Sequence, residues 1–141
     1  MSRFVLDASV ALSWCFDDEV STYAELVLDL LADGAEARAP AIWPLEVANS
    51  MLSAQRRKRI NEAESVRWLN RIGALRIVIS GPSNLGEIGD LFAIARQFGL
   101  SIYDATYLEL ARRFDLPLAT IDRRLSAAAS KSGISTSVTS R

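Results

Sequence analysis

Asp7, Glu46, Asp104 and Asp122 are the residues whose surroundings ask for a chemical explanation. Each carboxylate sits where an apolar stretch meets a turn. Asp7 closes "RFVLD", Asp122 closes "LPLATID", Glu46 follows Pro44 in "PLEVANSM", and Asp104 interrupts "LSIYDATYLEL". Side chains with only oxygen to offer can cap helix N-termini, act as general acids or bases, or hold hard divalent cations. Histidine is absent from the whole chain. Histidine acid–base catalysis, Ser–His or Cys–His nucleophiles and histidine zinc sites are therefore excluded within it. Enzymatic chemistry here would rest on carboxylates, hydroxyls, arginines or a metal ion.

Each acid also has a purely local role open to it. Ser101 and Asp104 have the spacing of a capping box, in which side-chain oxygens satisfy the N–H groups at a helix start. Asp7 and Asp122 are placed to N-cap the helices that follow them. Glu46 suits the positive end of a helix dipole. Clustering would change the balance, because two carboxylates about 5 Å apart repel by roughly 3 kcal/mol at an effective dielectric near 20. A Mg²⁺ or Mn²⁺ ion removes that cost and can clamp the oxygens of a phosphoryl group during in-line displacement.

The elements decide whether the acids meet. Short strands are expected at "RFVLD", "AEARAP", "RIVIS", "LPLATID" and, weakly, "ISTSV". Between them lie segments of helical periodicity: "STYAELVLDLLADG", "PLEVANSMLSAQRRKR", "NEAESVRWLNRIGAL", "SNLGEIGDLFAIARQFG", "LSIYDATYLEL" and "RRLSAAASKSG". In the Asp104 helix, Tyr103, Tyr107, Leu108 and Leu110 are spaced to face a core. Alternation of strand and helix predicts an α/β/α sandwich around a short, mainly parallel sheet. In such a sheet, strand C-termini and helix N-termini share one edge, where ligands bind at the reversal of strand order. The topology can therefore bring four distant carboxylates to one place.

At 141 residues and half hydrophobic, the chain is expected to form one domain over 1–141, with a loose tail from about 137. It carries no apolar run of transmembrane length and no signal-peptide pattern. The lone Cys15 has no internal disulfide partner and fits a reduced, cytoplasmic setting. A net charge of −1 gives no global attraction to nucleic acid, though local patches stay open.

Taken in order, "FVLDASVAL", "PLEVANSM", "LSIYDATYLELA" and "LATIDRRL" resemble the motifs of the PIN-domain nucleases, and more narrowly a VapC-type toxin of a toxin–antitoxin pair. The resemblance covers nearly the whole chain. It implies a metal-dependent endoribonuclease needing Mg²⁺ or Mn²⁺, a homodimer, and inhibition by a cognate DNA-binding antitoxin. It also implies that Asp7 and Asp122 are the direct metal ligands, that Glu46 and Asp104 act directly or through water, and that one of these orients the attacking water. Ser9 and Thr120 match small hydroxyl positions and are read as hydrogen-bonding partners of the acids.

Other candidates are weaker. "DDE" at 17–19 reads as a cap or a solvated loop, and Asp90, Glu109 and Asp115 as surface acids on helices. "RRKR" at 56–59 complements a helix dipole or contacts RNA. Arg112, Arg113, Arg123 and Arg124 suit phosphates or solvent. Trp14, Trp43 and Trp68 read as core or dimer-contact residues. Rival acidic-pocket folds fit less well. A receiver-like domain wants paired acids after the first strand and a lysine after a late one. A haloacid-dehalogenase-like phosphatase wants an aspartate where Ser9 stands. A non-catalytic binding module of the same fold remains an alternative.

Overall fold

The computed structural model describes residues 2–19, 21–81 and 84–138. Strand β1 spans Arg3–Leu6, β2 Glu36–Pro40, β3 Ile77–Ser80 and β4 Leu118–Ala119. They form one sheet in the order β3-β2-β1-β4, with every pairing parallel. The order reverses beside β1, so the crevice expected of such a sheet opens between the ends of β1 and β4. Phe4, Val5 and Leu6 are all fully buried, because a central parallel strand is covered on both faces and reads as a continuous apolar run.

Helices α1 (Ala8–Cys15) and α2 (Thr22–Ala32) connect β1 to β2, and α3 (Trp43–Arg56) and α4 (Glu62–Gly73) connect β2 to β3. Helices α5 (Gly86–Phe98) and α6 (Ile102–Phe114) lead back to β4, and α7 (Arg123–Lys131) follows it. Right-handed crossovers put the first four on one face and α5 and α6 on the other. In agreement, α1 packs on α2 and α3, whereas α6 packs across β1, β2 and β4. The protein is thus the expected α/β/α sandwich.

Local chemistry explains the boundaries. Asn61 and Glu64 make a complete capping box at α4, and Ser21 caps α2. Helix α5 stops at Gly99, whose φ of 65° is the left-handed conformation that glycine adopts without strain. The "DDE" segment forms an exposed 3-10 turn, and its Asp18 and Glu19 pair with Arg59. Cys15 is buried, and burial pushes its thiol pKa up to about 12, so it is an inert packing group.

Two expectations need correction. "ISTSV" is not a strand. It meets β4 through a bond from the Leu118 N–H to the Ser135 carbonyl, at 2.8 Å. The Ser137 N–H is taken by the Ser135 hydroxyl instead, a local bond that competes with a ladder. Tyr103 is exposed, while Tyr107, Leu108 and Leu110 are buried as expected. The first turn of α6 stands at the sheet edge, where Asp104 of the same turn feels Asp122 and Arg124. Of the tail, Val138 is buried, and residues 139–141 lie outside the described ones.

Candidate active site

The site is built at the C-terminal edge of β1 and β4. The Asp7 backbone N–H donates to the Ala119 carbonyl at 2.9 Å, extending the parallel pairing by one rung. This fixes Asp7 in extended conformation at the N-cap position of α1, yet its carboxylate makes no capping bond. Oδ2 instead accepts from the Ser9 hydroxyl at 2.6 Å and the Thr120 hydroxyl at 2.7 Å. Each hydroxyl owns one proton, so each can still accept. Ser9 takes the Ile121 N–H at 3.3 Å and Thr120 takes the Asp122 N–H at 3.0 Å. The two hydroxyls therefore tie the Asp7 carboxylate to the backbone that leaves β4, and Oδ1 remains uncommitted to either.

Asp122 does cap its helix: Oδ1 accepts the Leu125 N–H at 2.9 Å. Glu46, in the first turn of α3, is half-buried, and its Oε1 accepts from the Tyr107 hydroxyl. At α6, the Ser101 hydroxyl accepts the Asp104 N–H at 3.0 Å. Ser101 is thus the cap, and Asp104 supplies a backbone donor to it.

The carboxylates lie close enough to feel one another. Burial, chiefly, raises the Asp7 pKa from 3.8 to about 6. The Ser9 and Thr120 bonds oppose the rise, and the charges of Glu46 and Asp104 add to it. Glu46 is raised by burial first and by Asp104 after it, against the Tyr107 bond. Asp104 is raised by burial and then by Asp122, while the Ser101 bond and Arg124 pull it down. The four acids from distant segments are thus brought together, though among the described residues no three of them close into a metal-chelating group.

Tyr107 is the residue whose role the sequence reading missed. It is fully buried, as a core tyrosine should be, but its hydroxyl points at Glu46 and faces the Ala8 N–H. Burial and the Glu46 bond push its pKa well above the ordinary phenol range, so it stays a donor. The available signal was its place three residues after Asp104, on the same face of α6. Tyr107→Phe is expected to cost about 1 kcal/mol, the usual net worth of one hydrogen bond. The readout is a lower urea midpoint at unchanged slope. An unshifted midpoint would show that the bond contributes nothing net.

The other candidates fall outside the cluster. Asp90 and Asp115 are exposed, and Glu109 is bound by Arg113 at 2.5 and 2.9 Å along α6. Trp14 and Trp43 are buried in the core, and Trp68 packs against it under Arg71. Arg124, of the flanking arginines, lies close enough to Asp104 to lower its pKa.

A family model described as the PIN domain matches residues 4–131. Ribonuclease VapC3 of Pyrobaculum aerophilum is 28% identical over 123 residues, covering 87% of this chain and 92% of that protein. The crystal structure of PAE2754, also from Pyrobaculum aerophilum, superposes with a TM-score of 0.69 at 19% identity, over 90% of this chain and 84% of the other. VapBC2 from Rickettsia felis, solved bound to a DNA fragment from their promoter, gives 0.61 at 17% identity, over 89% and 92%.

Proposed function

This chain belongs to the PIN domain family, and from that premise we propose that it is an endoribonuclease dependent on Mg²⁺ or Mn²⁺, the toxin of a type II toxin–antitoxin pair. The observation that carries the reading is the buried Asp7, held through one oxygen by Ser9 and Thr120, with Glu46 and Asp104 near enough to raise its pKa and Asp122 near enough to raise that of Asp104. With no histidine in the chain, this donor set is all oxygen. It fits a hard divalent cation. Mg²⁺ keeps several waters and needs only one or two carboxylates, so an open arrangement suits it. Asp7 and Asp122 would hold the ion, with Glu46 and Asp104 taking it directly or through water.

When bound, the ion supplies water activation and neutralises charge on the phosphoryl oxygens. The chain's own groups do the rest. Ser9 and Thr120 orient Asp7, and Tyr107 orients Glu46. Glu46 or Asp104 accepts the proton of the attacking water, a task that their raised pKa values favour.

The relative named a ribonuclease and the neighbour solved with promoter DNA support the same reading. We extend it to a cytoplasmic homodimer with RNA as substrate, silenced by a DNA-binding antitoxin whose arginine or lysine enters the acidic crevice in place of the cation's charge. The experiment is cleavage of single-stranded and hairpin RNA by the purified chain with Mg²⁺, with Mn²⁺ and with EDTA, beside light scattering at micromolar concentration. Cleavage with metal only, by a dimer, is expected. Undiminished cleavage in EDTA overturns the metal dependence, and a metal-loaded protein inert on every RNA overturns the nuclease reading.

A further inference from the structure

Helices α1 and α3 both begin at the acidic edge and run side by side away from it. Along α3, Glu46 is followed by Asn49, Ser50 and Ser53, and then by Arg57 at the helix C-cap, at i+3, i+4, i+7 and i+11. At 100° per residue these five positions fall within roughly 60° of one line. Asn49 and Arg57 are exposed and Glu46, Ser50 and Ser53 partly so, beside the buried stripe of Val47, Met51 and Ala54. Leu12 of α1 and Phe16, just past its C-terminus, form the facing wall. The far half of this groove is a cavity of about 300 Å³ that Asn49, Ser50, Ser53, Arg57, Leu12 and Phe16 all line. Glu19 and Arg59 line it too, paired with each other.

The cations at the far end are not equivalent. Arg59 is committed: it pairs with Asp18 at 3.0 Å and Glu19 at 2.9 Å, and stacks 4.5 Å from the Phe16 ring centroid. Asp18 and Glu19 are thereby occupied as well. Arg56, Arg57 and Lys58 form no ion pair among the described residues. Of these, Arg57 lines the cavity. A polar stripe thus leads from a carboxylate of the candidate active site to an unpaired guanidinium.

We propose that the groove between α1 and α3 seats the RNA backbone, with Arg57 binding a phosphate remote from the bond that is cut. The lining decides for nucleic acid against an apolar protein segment. Amide and hydroxyl groups suit ribose and phosphate oxygens, and a guanidinium fork suits a phosphate. Eleven helical residues rise about 16 Å, which equals about five nucleotides of stacked strand at roughly 3.4 Å each. RNA long enough to span that distance gains the Arg57 contact, and shorter RNA does not. The inference rests on the nuclease reading and adds to it a subsite and a dependence on substrate length.

The test compares wild type, Arg57→Ala and Arg57→Lys on a twelve-nucleotide single strand and on a four-nucleotide one, with melts to confirm folding. On the long RNA, Arg57→Ala should raise KM several-fold with kcat within about twofold. The slope of log KM against log salt should fall by about 0.7, the value for one phosphate contact on a single strand. Arg57→Lys should recover most of the salt slope, and the short RNA should be cut equally by all three. Unchanged KM and slope on the long RNA, or an equal change on both lengths, overturns the subsite. Wild type that cuts neither RNA overturns the nuclease reading instead, so the two failures are told apart.

Discussion

Asp7→Asn should lower RNA cleavage by about 10²–10³-fold, the scale for removing one electrostatic group aimed at a reaction, and yet make the metal-free protein more stable at alkaline pH. The reason lies in its burial. The folded protein holds the Asp7 proton up to about pH 6, the unfolded chain only to 3.8. Between those values the folded state binds more protons, so stability is full at low pH and falls as pH rises through the window. The displacement corresponds to about 3 kcal/mol. Asparagine keeps an oxygen for the Ser9 and Thr120 hydroxyls and carries no charge, so its stability lacks this fall. In EDTA, the variant's advantage over wild type should therefore grow by up to about 3 kcal/mol between about pH 4 and about pH 7. Denaturant melts across that range are the measurement. Parallel profiles for the two proteins would mean that Asp7 is not the strained group described here.

Asp104→Asn should show a second large effect, separable from helix capping. Magnesium at a hundred times its dissociation constant stabilises a protein that binds it by about 2.7 kcal/mol. Wild type should show a gain of that order, the variant a smaller one, and cleavage should fall by orders of magnitude. Without metal the variant should be no less stable. Ser101 already caps α6, and asparagine preserves the backbone N–H that it accepts. Loss of an acid near the helix N-terminus costs about 0.3–1 kcal/mol, which relief of repulsion with Asp122 offsets. Paired thermal melts in EDTA and in Mg²⁺, with a cleavage assay, decide the matter. A variant destabilised in EDTA, stabilised by Mg²⁺ like wild type and still active would reduce Asp104 to a structural acid.

The architecture was legible because its signals are local and periodic. Asn61 with Glu64, Ser21 and Gly99 mark helix ends through their own side chains or backbone freedom. That Asp7 and Asp122 would share an edge followed from strand–turn–helix order alone. What each acid does at that edge was not legible, since for Asp7 and Glu46 it depends on partners 113 and 61 positions away. Asp7 had the position of an N-cap and proved to be tied to Thr120, while Asp122 in an equivalent position does cap. Tyr107 looked like any buried aromatic, because the direction of one hydroxyl leaves no trace in hydrophobic spacing. "ISTSV" had the composition of a strand, but short serine-to-backbone bonds won over a ladder.

The pairing of β4 with β1 joins residues more than a hundred positions apart in the sequence. Thr120 reaches Asp7 across 113 positions, and β4 itself is only Leu118–Ala119. Closing so long a loop late, for so short a strand, makes this the slowest contact to gain from local structure. During synthesis, β1, β2 and β3 can associate while the last segment is still inside the ribosome. Until Thr120 emerges, Asp7 lacks one of its two hydroxyl partners and β1 lacks its outer neighbour. The nascent chain can therefore pair β1, β2 and β3 before its acidic crevice exists, and a chain cut short ahead of Leu118 lacks both the β4 side of the crevice and the last part of the core.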